Sequence, residues 1–260
     1  MADGTVDYEL IDDVAFLRLN DPATLNAMSA ALGEMLRDAI RRAQSEARAI
    51  LLGSEGRAFC SGANLAGGSV LLDDPDRDIG IELEEVFNPL ILEMRASKVP
   101  IVTAIRGAAA GIGCAIACAG DLIVAGENAY FFQAFRQVGL VPDGGSTYFL
   151  AKAIGRVRAM EMMLLGTRLM APQALEWGLI NRVVPDDQVD EEGLKLATEL
   201  ASGPRSLGLI REAAWAALET PLEEQLGRER SLQRDACRTE DFVEGVMSFR
   251  DKRSPAFKGR

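Results

Sequence analysis

Two glycine-rich turns are the parts of this sequence best suited to chemistry. They span residues 56–64 and 106–115, and each follows a short apolar run typical of a buried strand. Backbone N–H groups at such a turn, or at the helix start after it, lack a partner within their element, and small residues let a ligand approach them. If the N–H groups of Ala63 and Ile112 point at one oxygen, they form an oxyanion hole, in which each donor is worth about 3–4 kcal/mol. The turns also fit a purely structural role, because small residues let two elements pack closely.

Asp143 is the candidate for acid–base chemistry. It lies between Pro142 and Gly144, at the start of a predicted helix. A carboxylate in that place can take up and return a proton. Aspartate is also a favoured helix N-cap, so the residues alone leave both roles open.

The chain contains no histidine, and this excludes several classes of site. A Ser-His-Asp triad, a Cys-His pair and a histidine-ligated metal are impossible, which leaves acid–base work to carboxylates, Lys, Tyr, Cys or water. The cysteines fit neither a disulfide framework nor a zinc spacing, so we expect small buried apolar residues and no metal. They are Cys60, Cys114, Cys118 and Cys237. The pair Gly111-x-Gly113 lacks the third glycine of a dinucleotide fingerprint, and no Walker-type glycine-lysine pair occurs.

The composition excludes further kinds of binding partner. The 260 residues carry a net charge of −11, which argues against nucleic acid as a partner. No apolar run approaches the roughly 20 residues that a membrane helix needs, so no membrane association is expected. The first residues lack a secretory apolar segment, and we expect a cytoplasmic protein.

Apolar periodicity predicts strands that alternate with helices and then give way to helices alone. Strands are predicted at 14–20, 49–53, 99–105, 121–125 and 179–184. Helices are predicted at 30–43 with Ser29 as the cap, and at 81–96, 116–120, 148–165 and 172–177. From residue 189 the pattern is helical, with breaks near 204, 221 and 239. This order predicts an α/β core over residues 1–195 and an all-α region over 196–260. Gly67, Gly68 and the aspartates that follow predict a mobile surface loop over 66–80.

Several collinear motifs between about residues 8 and 258 resemble those of the enoyl-CoA hydratase/isomerase (crotonase) family. They are Phe59-Cys-Ser-Gly-Ala-Asn64, Pro100-Ile-Val-Thr-Ala-Ile-Arg-Gly-Ala-Ala-Ala-Gly-Ile-Gly-Cys114, Asp121-Leu-Ile-Val-Ala125, Gly139-Leu-Val-Pro-Asp-Gly-Gly-Ser-Thr147, Ala174-Leu-Glu-Trp-Gly-Leu-Ile180 and Lys252-Arg-Ser-Pro-Ala-Phe257. The resemblance implies a superhelix of repeated ββα units and a C-terminal helical trimerisation region, in a homotrimer or a dimer of trimers. It implies an acyl-CoA thioester substrate, with coenzyme A arriving as part of the substrate and no tightly bound cofactor.

The resemblance also assigns roles to residues. It implies that the N–H groups of Ala63 and Ile112 hold the thioester oxygen, and that the loop over 66–80 forms a wall of the acyl pocket. Other residues implied to contact the substrate are Ala27, Ser61, Gly62, Gly111, Ala115, Phe135 and Phe257.

Two departures from the family pattern bear on the reaction. Hydratases of the family use two glutamates, and this chain has Ala115 and Phe135 in their places. Asp143 stands where family members that shift double bonds carry an aspartate. The run Gln133–Asp143 is most similar to the 2-(1,2-epoxy-1,2-dihydrophenyl)acetyl-CoA isomerase branch.

We therefore predict an isomerase in which Asp143 takes a proton from one carbon and returns it at another through a dienolate. The alternatives are a hydratase that uses Asp143 and a water, and a non-catalytic acyl-CoA binder.

Overall fold

The computed structural model describes residues 4–64 and 74–260. Gly67, Gly68 and Asp73, which belong to the predicted loop over 66–80, are not among these residues. The strands are β1 Thr5–Ile11, β2 Val14–Asn20, β3 Ala49–Ser54, β4 Ile101–Ile105, β5 Ala108–Ala110, β6 Leu122–Gly126, β7 Tyr130–Phe132, β8 Leu169–Met170 and β9 Arg182–Val184. The helices are α1 Ala30–Glu46, α2 Gly80–Glu82, α3 Asn88–Ala96, α4 Ile112–Cys118, α5 Ser146–Ile154, α6 Arg156–Leu165, α7 Ala171–Glu176, α8 Val189–Ala201, α9 Ser206–Ala217, α10 Leu222–Ala236 and α11 Glu240–Asp251. A π-helical turn, Leu83–Phe87, joins α2 to α3.

The main sheet runs in the order β1-β2-β3-β4-β6-β9, and a smaller sheet runs in the order β5-β7-β8. In the main sheet β1 is antiparallel to β2, and the other neighbours are parallel. The carboxyl ends of parallel strands meet at one edge of a sheet, where α/β proteins place their ligands. The segments that follow β3, β4 and β6 are therefore brought to the same edge.

Alternate residues of the strands pack against opposite layers. On β3, Ile50 and Leu52 join the cluster that includes α1, α3 and α4, whereas Ala49 and Leu51 join a second cluster with α8. This two-sided burial explains the near-continuous apolar runs from which the strands were predicted. The predicted class, an α/β core followed by helices, is confirmed.

Several boundaries differ from the sequence prediction. The helix α4 begins at Ile112 rather than at residue 116, and β5 lies inside the stretch predicted as a turn. Strings of alanine and glycine carry little periodic signal, so tertiary pairing decides their conformation. The predicted helix over 148–165 is two helices, because Gly155 between them has a φ of +81°. The antiparallel strand β1 was not predicted.

The C-terminal helices are tied to the core through a buried ion pair. The guanidinium of Arg211 on α9 donates to the Asp121 carboxylate at 2.7 Å, and it also donates to three main-chain carbonyl groups between residues 94 and 97. The indole N–H of Trp215 donates to the same carboxylate at 2.8 Å. The predicted division between residues 195 and 196 falls inside α8, which packs on the sheet, and it stays a prediction. Within the described part of the chain, no helix has both the length and the apolar character needed to cross a membrane.

Candidate active site

The two glycine-rich turns meet at the carboxyl edge of the sheet. Cys60 bridges them, since its N–H donates to Ala108 and its carbonyl accepts from Ala110, both at 2.9 Å. Gly62 and Gly111 both have positive φ, and a Cβ on Gly111 would lie 3.6 Å from the Cα of Gly62. The backbones are therefore in contact at the points where the predicted donors follow.

The N–H groups of Ala63 and Ile112 are both left without an acceptor among the described residues. Met28 is held between the carbonyl of Gly62 and the N–H of Asn64, a parallel bridge that turns the N–H of Ala63 away from Met28. Ile112 is the first residue of α4, where helical geometry supplies no partner for its N–H. Both residues line one cavity, so two unpaired donors flank the same space.

This cavity has a volume of about 440 Å³, a size that suits a small-molecule ligand. The cavity is lined by the two turns and by the segment from Ala134 to Asp143. The segment from Asp78 to Phe87 also lines it. The residues from the predicted site that line it are Ser61, Gly62, Ala63, Gly111, Ile112, Phe135 and Asp143.

Asp143 reaches the cavity from the loop before α5, and its carboxylate does not cap that helix. Helix α5 begins at Ser146 with Gly145 in the cap position, and no side chain provides a cap. Asp143 instead accepts the N–H of Ser146 through its main-chain carbonyl at 2.9 Å. The N-cap interpretation of the Asp143 carboxylate is thus wrong.

The Asp143 carboxyl is half-buried, and its Oδ1 is shielded from water without a hydrogen-bond partner among the described residues. Burial raises its pKa from 3.8 to about 6, because a charged carboxylate loses hydration there, and only its own backbone N–H acts in the opposite direction. A carboxylate with one unpaired oxygen and a pKa near neutrality is suited to take up and release a proton.

The turn that carries Asp143 packs directly on α4. Gly144 has a φ of +57°, and a Cβ there would clash with Cδ1 of Ile112 and lie 3.0 Å from the Cβ of Ala115. Asp143 is consequently held beside the helix whose first N–H is one of the two donors.

Three predicted contact residues do not line the cavity. Ala115 is fully buried, because it lies one helical turn beyond Ile112 and the Gly144 turn covers it. Ala27 is half-buried, and its N–H donates to Thr24 at 3.2 Å, which directs it into the neighbouring turn. Phe257 follows α11 in the chain, and its ring lies against that helix, 3.6 Å from where a Cβ on Gly245 would be; its carbonyl accepts from Arg48 at 3.3 Å.

Phe135 is an apolar part of the cavity wall, at the position where the family resemblance implies a glutamate in hydratases. It lies in the 3-10 helix Ala134–Val138 and is buried, and its ring would be 3.7 Å from a Cβ on Gly111. Nearby Cys60 offers no alternative nucleophile, since burial raises the pKa of its thiol to about 12.

The predicted wall over residues 66–80 contributes Asp78 and Ile79 to the cavity, but its continuation from Ile81 to Phe87 was not predicted. The cavity is lined there by apolar side chains that include Leu83, Val86 and Phe87, and by the acidic residues Asp78, Glu82 and Glu85. Most of these belong to the π-helical turn or the residues just before it, and π-turns occur often at functional sites. The sequence signal was the apolar triplet at 83, 86 and 87, but a regular helical pattern does not show which face lines a cavity.

Known proteins resemble this chain over almost its whole length. The sequence profile of the enoyl-CoA hydratase/isomerase family matches residues 10–260. A "1,2-epoxyphenylacetyl-CoA isomerase" of Escherichia coli is 39% identical over 250 residues, which cover 95% of each chain. A "Probable enoyl-CoA hydratase" of Rhodobacter capsulatus is 38% identical over 257 residues, which cover 98% of each chain.

The fold is shared with solved structures as well. The crystal structure of an enoyl-CoA hydratase from a Polaromonas species superposes with a TM-score of 0.91 at 29% identity, and the match covers 98% of this chain and 100% of that one. The predicted crotonase-like fold is confirmed. The chain belongs to the enoyl-CoA hydratase/isomerase family.

Proposed function

We propose that this protein is an acyl-CoA isomerase that moves a proton along an unsaturated or epoxy-type CoA thioester. The observation that carries the proposal is the Asp143 carboxylate, half-buried, with an unpaired oxygen, on the same cavity as two unpaired N–H donors. Asp143 is the base and later the acid. The N–H groups of Ala63 and Ile112 receive the thioester oxygen.

The two donors act on the charge that forms during the reaction. When a proton leaves the acyl chain, the electron pair of the C–H bond moves into the conjugated system and onto the thioester oxygen. Donors that are already in place stabilise this dienolate oxygen without reorganisation. The thioester carbonyl carries less charge in the ground state, so the donors favour the dienolate over the bound substrate.

One carboxylate is sufficient for the proton transfer. Asp143 forms an O–H bond as the C–H bond breaks, and it returns the same proton at a different carbon. The substrate and the product have the same composition, so no water or second carboxylate is required. A pKa of about 6 leaves most of the carboxylate ionised at pH 7 and makes it roughly a hundredfold more basic than an ordinary aspartate.

The surroundings support isomerisation over hydration. Hydration of a double bond needs a held water, and Phe135 presents an apolar ring where a hydratase of the family carries a glutamate. The second such position, Ala115, is buried under the Gly144 turn. Asp143 is therefore the acid–base group that the predicted site retains.

A hydratase that uses Asp143 and a water is the second candidate, because similar proteins include a hydratase as well as an isomerase. Crotonyl-CoA separates the two, since its double bond is already conjugated with the thioester. Loss of its absorbance on addition of enzyme would support hydration. Conversion of a 3-enoyl-CoA to the conjugated isomer, with crotonyl-CoA unchanged, supports the isomerase.

Asp143→Asn tests the assigned base. The variant keeps the size of the side chain and removes the proton acceptor, and we expect turnover to be lost while saturated acyl-CoA still binds. Glu84→Gln is the matched control, because Glu84 is exposed and does not line the cavity. Wild-type turnover by a folded Asp143→Asn variant would refute the mechanism. Tight binding without turnover by the wild type, over a panel of 3-enoyl and epoxy-type esters, would instead support a non-catalytic binder.

The proposal includes assembly into a homotrimer or a dimer of trimers. Two helices expose large apolar side chains that a partner subunit would cover. They are Val157, Leu164 and Leu165 on α6, and Phe242, Val243, Met247 and Phe249 on α11. In such an assembly Phe257 would contact the ligand of a neighbouring subunit. Light scattering after size-exclusion chromatography measures the number of subunits, and a monomer would contradict this part of the proposal.

A further inference from the structure

The part of the cavity wall from Asp78 to Phe87 is acidic, and no basic residue occurs in the described lining. Asp78, Glu82 and Glu85 line this wall, and with Asp143 they make every titratable residue of the described lining a carboxylate. The sequence between residues 65 and 73 contains no Lys, Arg or His either. The nearest basic residue along the chain is Arg77, whose guanidinium donates to the carbonyl of Asp74.

The charges of this wall are not neutralised within the described chain. Glu82 and Glu85 make no salt bridge or hydrogen bond to residues 4–64 or 74–260. Among the described residues, Asp78 accepts a single hydrogen bond, from the N–H of Gly80 at 2.7 Å. These carboxylates therefore give the described cavity lining a net negative charge.

Apolar side chains occupy the same wall between the carboxylates. Leu83 is half-buried and Val86 and Phe87 are buried, whereas Ile79 and Ile81 remain exposed at its start. Leu140, which also lines the cavity, is exposed as well. An uncharged acyl chain would cover this apolar surface, whereas a terminal carboxylate would meet like charge.

We propose that Asp78, Glu82 and Glu85 act as a charge filter that selects acyl-CoA esters with an uncharged acyl group over those with a terminal carboxylate. The proposal rests on the proposed function, since it places the acyl chain in the cavity that Asp143 lines. To that function it adds the class of acyl group that the protein prefers and the three residues that determine the preference.

The expected size of the effect follows from electrostatic repulsion. A terminal carboxylate on the ligand and one carboxylate of the wall, about 8 Å apart in water, repel each other enough to raise the dissociation constant roughly twofold. Three such carboxylates together raise it about tenfold at low ionic strength. Salt at about 0.5 M screens charges at this separation and removes most of the difference.

Paired saturated ligands measure the filter without any reaction. Hexanoyl-CoA and adipoyl-CoA have acyl chains of equal length and the same coenzyme A, and they differ in the terminal carboxylate. Titration calorimetry on the wild-type protein should give adipoyl-CoA a dissociation constant about tenfold higher at low salt. The variant Asp78→Asn/Glu82→Gln/Glu85→Gln should lower the ratio of the two constants about tenfold, because it removes the repulsion between like charges.

The control is Glu84→Gln, which removes an exposed charge from the same turn outside the cavity lining and should leave the ratio unchanged. If the triple variant does not fold, Glu82→Gln and Glu85→Gln alone should each lower the ratio about twofold. Equal affinities in the wild-type protein, or a ratio that the substitutions do not change, would overturn the filter.

The measured ratio of dissociation constants does not depend on whether Asp143 is the catalytic base. Turnover by Asp143→Asn would refute the mechanism and leave the ratio of affinities intact. An inactive Asp143→Asn together with equal affinities would refute the charge filter alone.

Discussion

Replacement of Asp143 with asparagine is expected to stabilise the folded protein at neutral pH while it abolishes turnover. In the folded protein the carboxyl is half-buried with Oδ1 unpaired, and burial raises its pKa from 3.8 to about 6. A group that is harder to ionise in the folded state than in the unfolded state costs stability wherever both states are ionised. Asparagine has the same shape and no charge to desolvate.

The size and sign of this effect follow from the two pKa values. Below pH 3.8 both states hold the proton and the carboxyl costs nothing. As the pH rises, the unfolded chain ionises first, and the cost reaches its full value above pH 6. The difference between the two pKa values corresponds to a loss of at most about 3 kcal/mol in the free energy of unfolding. Because the cavity leaves Asp143 partly open to water, screening reduces this, and we expect a gain of about 1–2 kcal/mol for the variant at pH 7.5.

Urea unfolding at two pH values provides the assay. The free energies of unfolding of the wild type and of Asp143→Asn should differ by about 1–2 kcal/mol at pH 7.5, with equal dependence on urea concentration. At pH 5 the folded wild type is largely protonated, and the difference should fall to about half. Glu84→Gln should show no such pH-dependent gain, since Glu84 is exposed.

Two results would refute this reasoning. A variant that is less stable than the wild type at pH 7.5 would mean that the carboxylate makes a favourable contact in the folded state. A gain that does not change between pH 7.5 and pH 5 would mean that its source is something other than the charge of Asp143.

Three further predictions concern activity and the joint between α9 and the core. The kcat/KM should fall with a slope of one below a midpoint near pH 6, as Asp143 takes up a proton, so that a pH–rate profile with no change down to pH 5 contradicts the raised pKa. Gly144→Ala should lower kcat by at least about tenfold, because the added Cβ clashes with Ile112 and the left-handed backbone disfavours alanine, and steady-state kinetics measures the loss. Arg211→Met should cost about 3–5 kcal/mol in urea unfolding, because it leaves the Asp121 carboxylate without its counter-charge.

Matched controls distinguish these effects from general damage. Gly139→Ala also introduces a side chain at positive φ, but nothing lies within 4 Å of the new Cβ, so its loss of kcat should be smaller than that of Gly144→Ala. Arg41→Met removes a surface pair with Glu93 whose arginine side chain is 54% exposed, and it should cost less than about 1 kcal/mol. Equal losses within either pair would contradict the corresponding argument.

The five parallel strands of the main sheet and most of the helices could be predicted from the sequence because they depend on local periodicity, whereas β1 and the three short strands of the smaller sheet were not predicted. The strand Val14–Asn20 and the start of α1 at Ala30, with Ser29 accepting the N–H of Leu32, agree with the prediction. The apolar runs of a buried parallel sheet and the oxygen of a cap residue are local signals. Local signals were weaker at 106–120, where runs of small residues concealed β5 and the early start of α4.

By itself, the sequence determined which groups are present for chemistry. Without histidine, the acid–base group had to come from elsewhere, and the glycines at 62 and 111 marked turns that a ligand could approach. The family followed from collinear motifs, and the absence of glutamate at 115 and 135 directed attention to Asp143. These conclusions need only residue types and their order.

Only the tertiary structure decided where these groups lie relative to one another and how deeply each is buried. Whether Asp143 caps α5 or lies unpaired on a cavity depends on which backbone groups are satisfied by others, and here Ser146 bonds to its main chain instead. The raised pKa of Asp143 comes from burial by segments remote in the chain, and the acidic wall at Glu82 and Glu85 comes from how the π-helical turn is placed. Desolvation and charge act through space, whereas a sequence pattern reports only on neighbours along the chain.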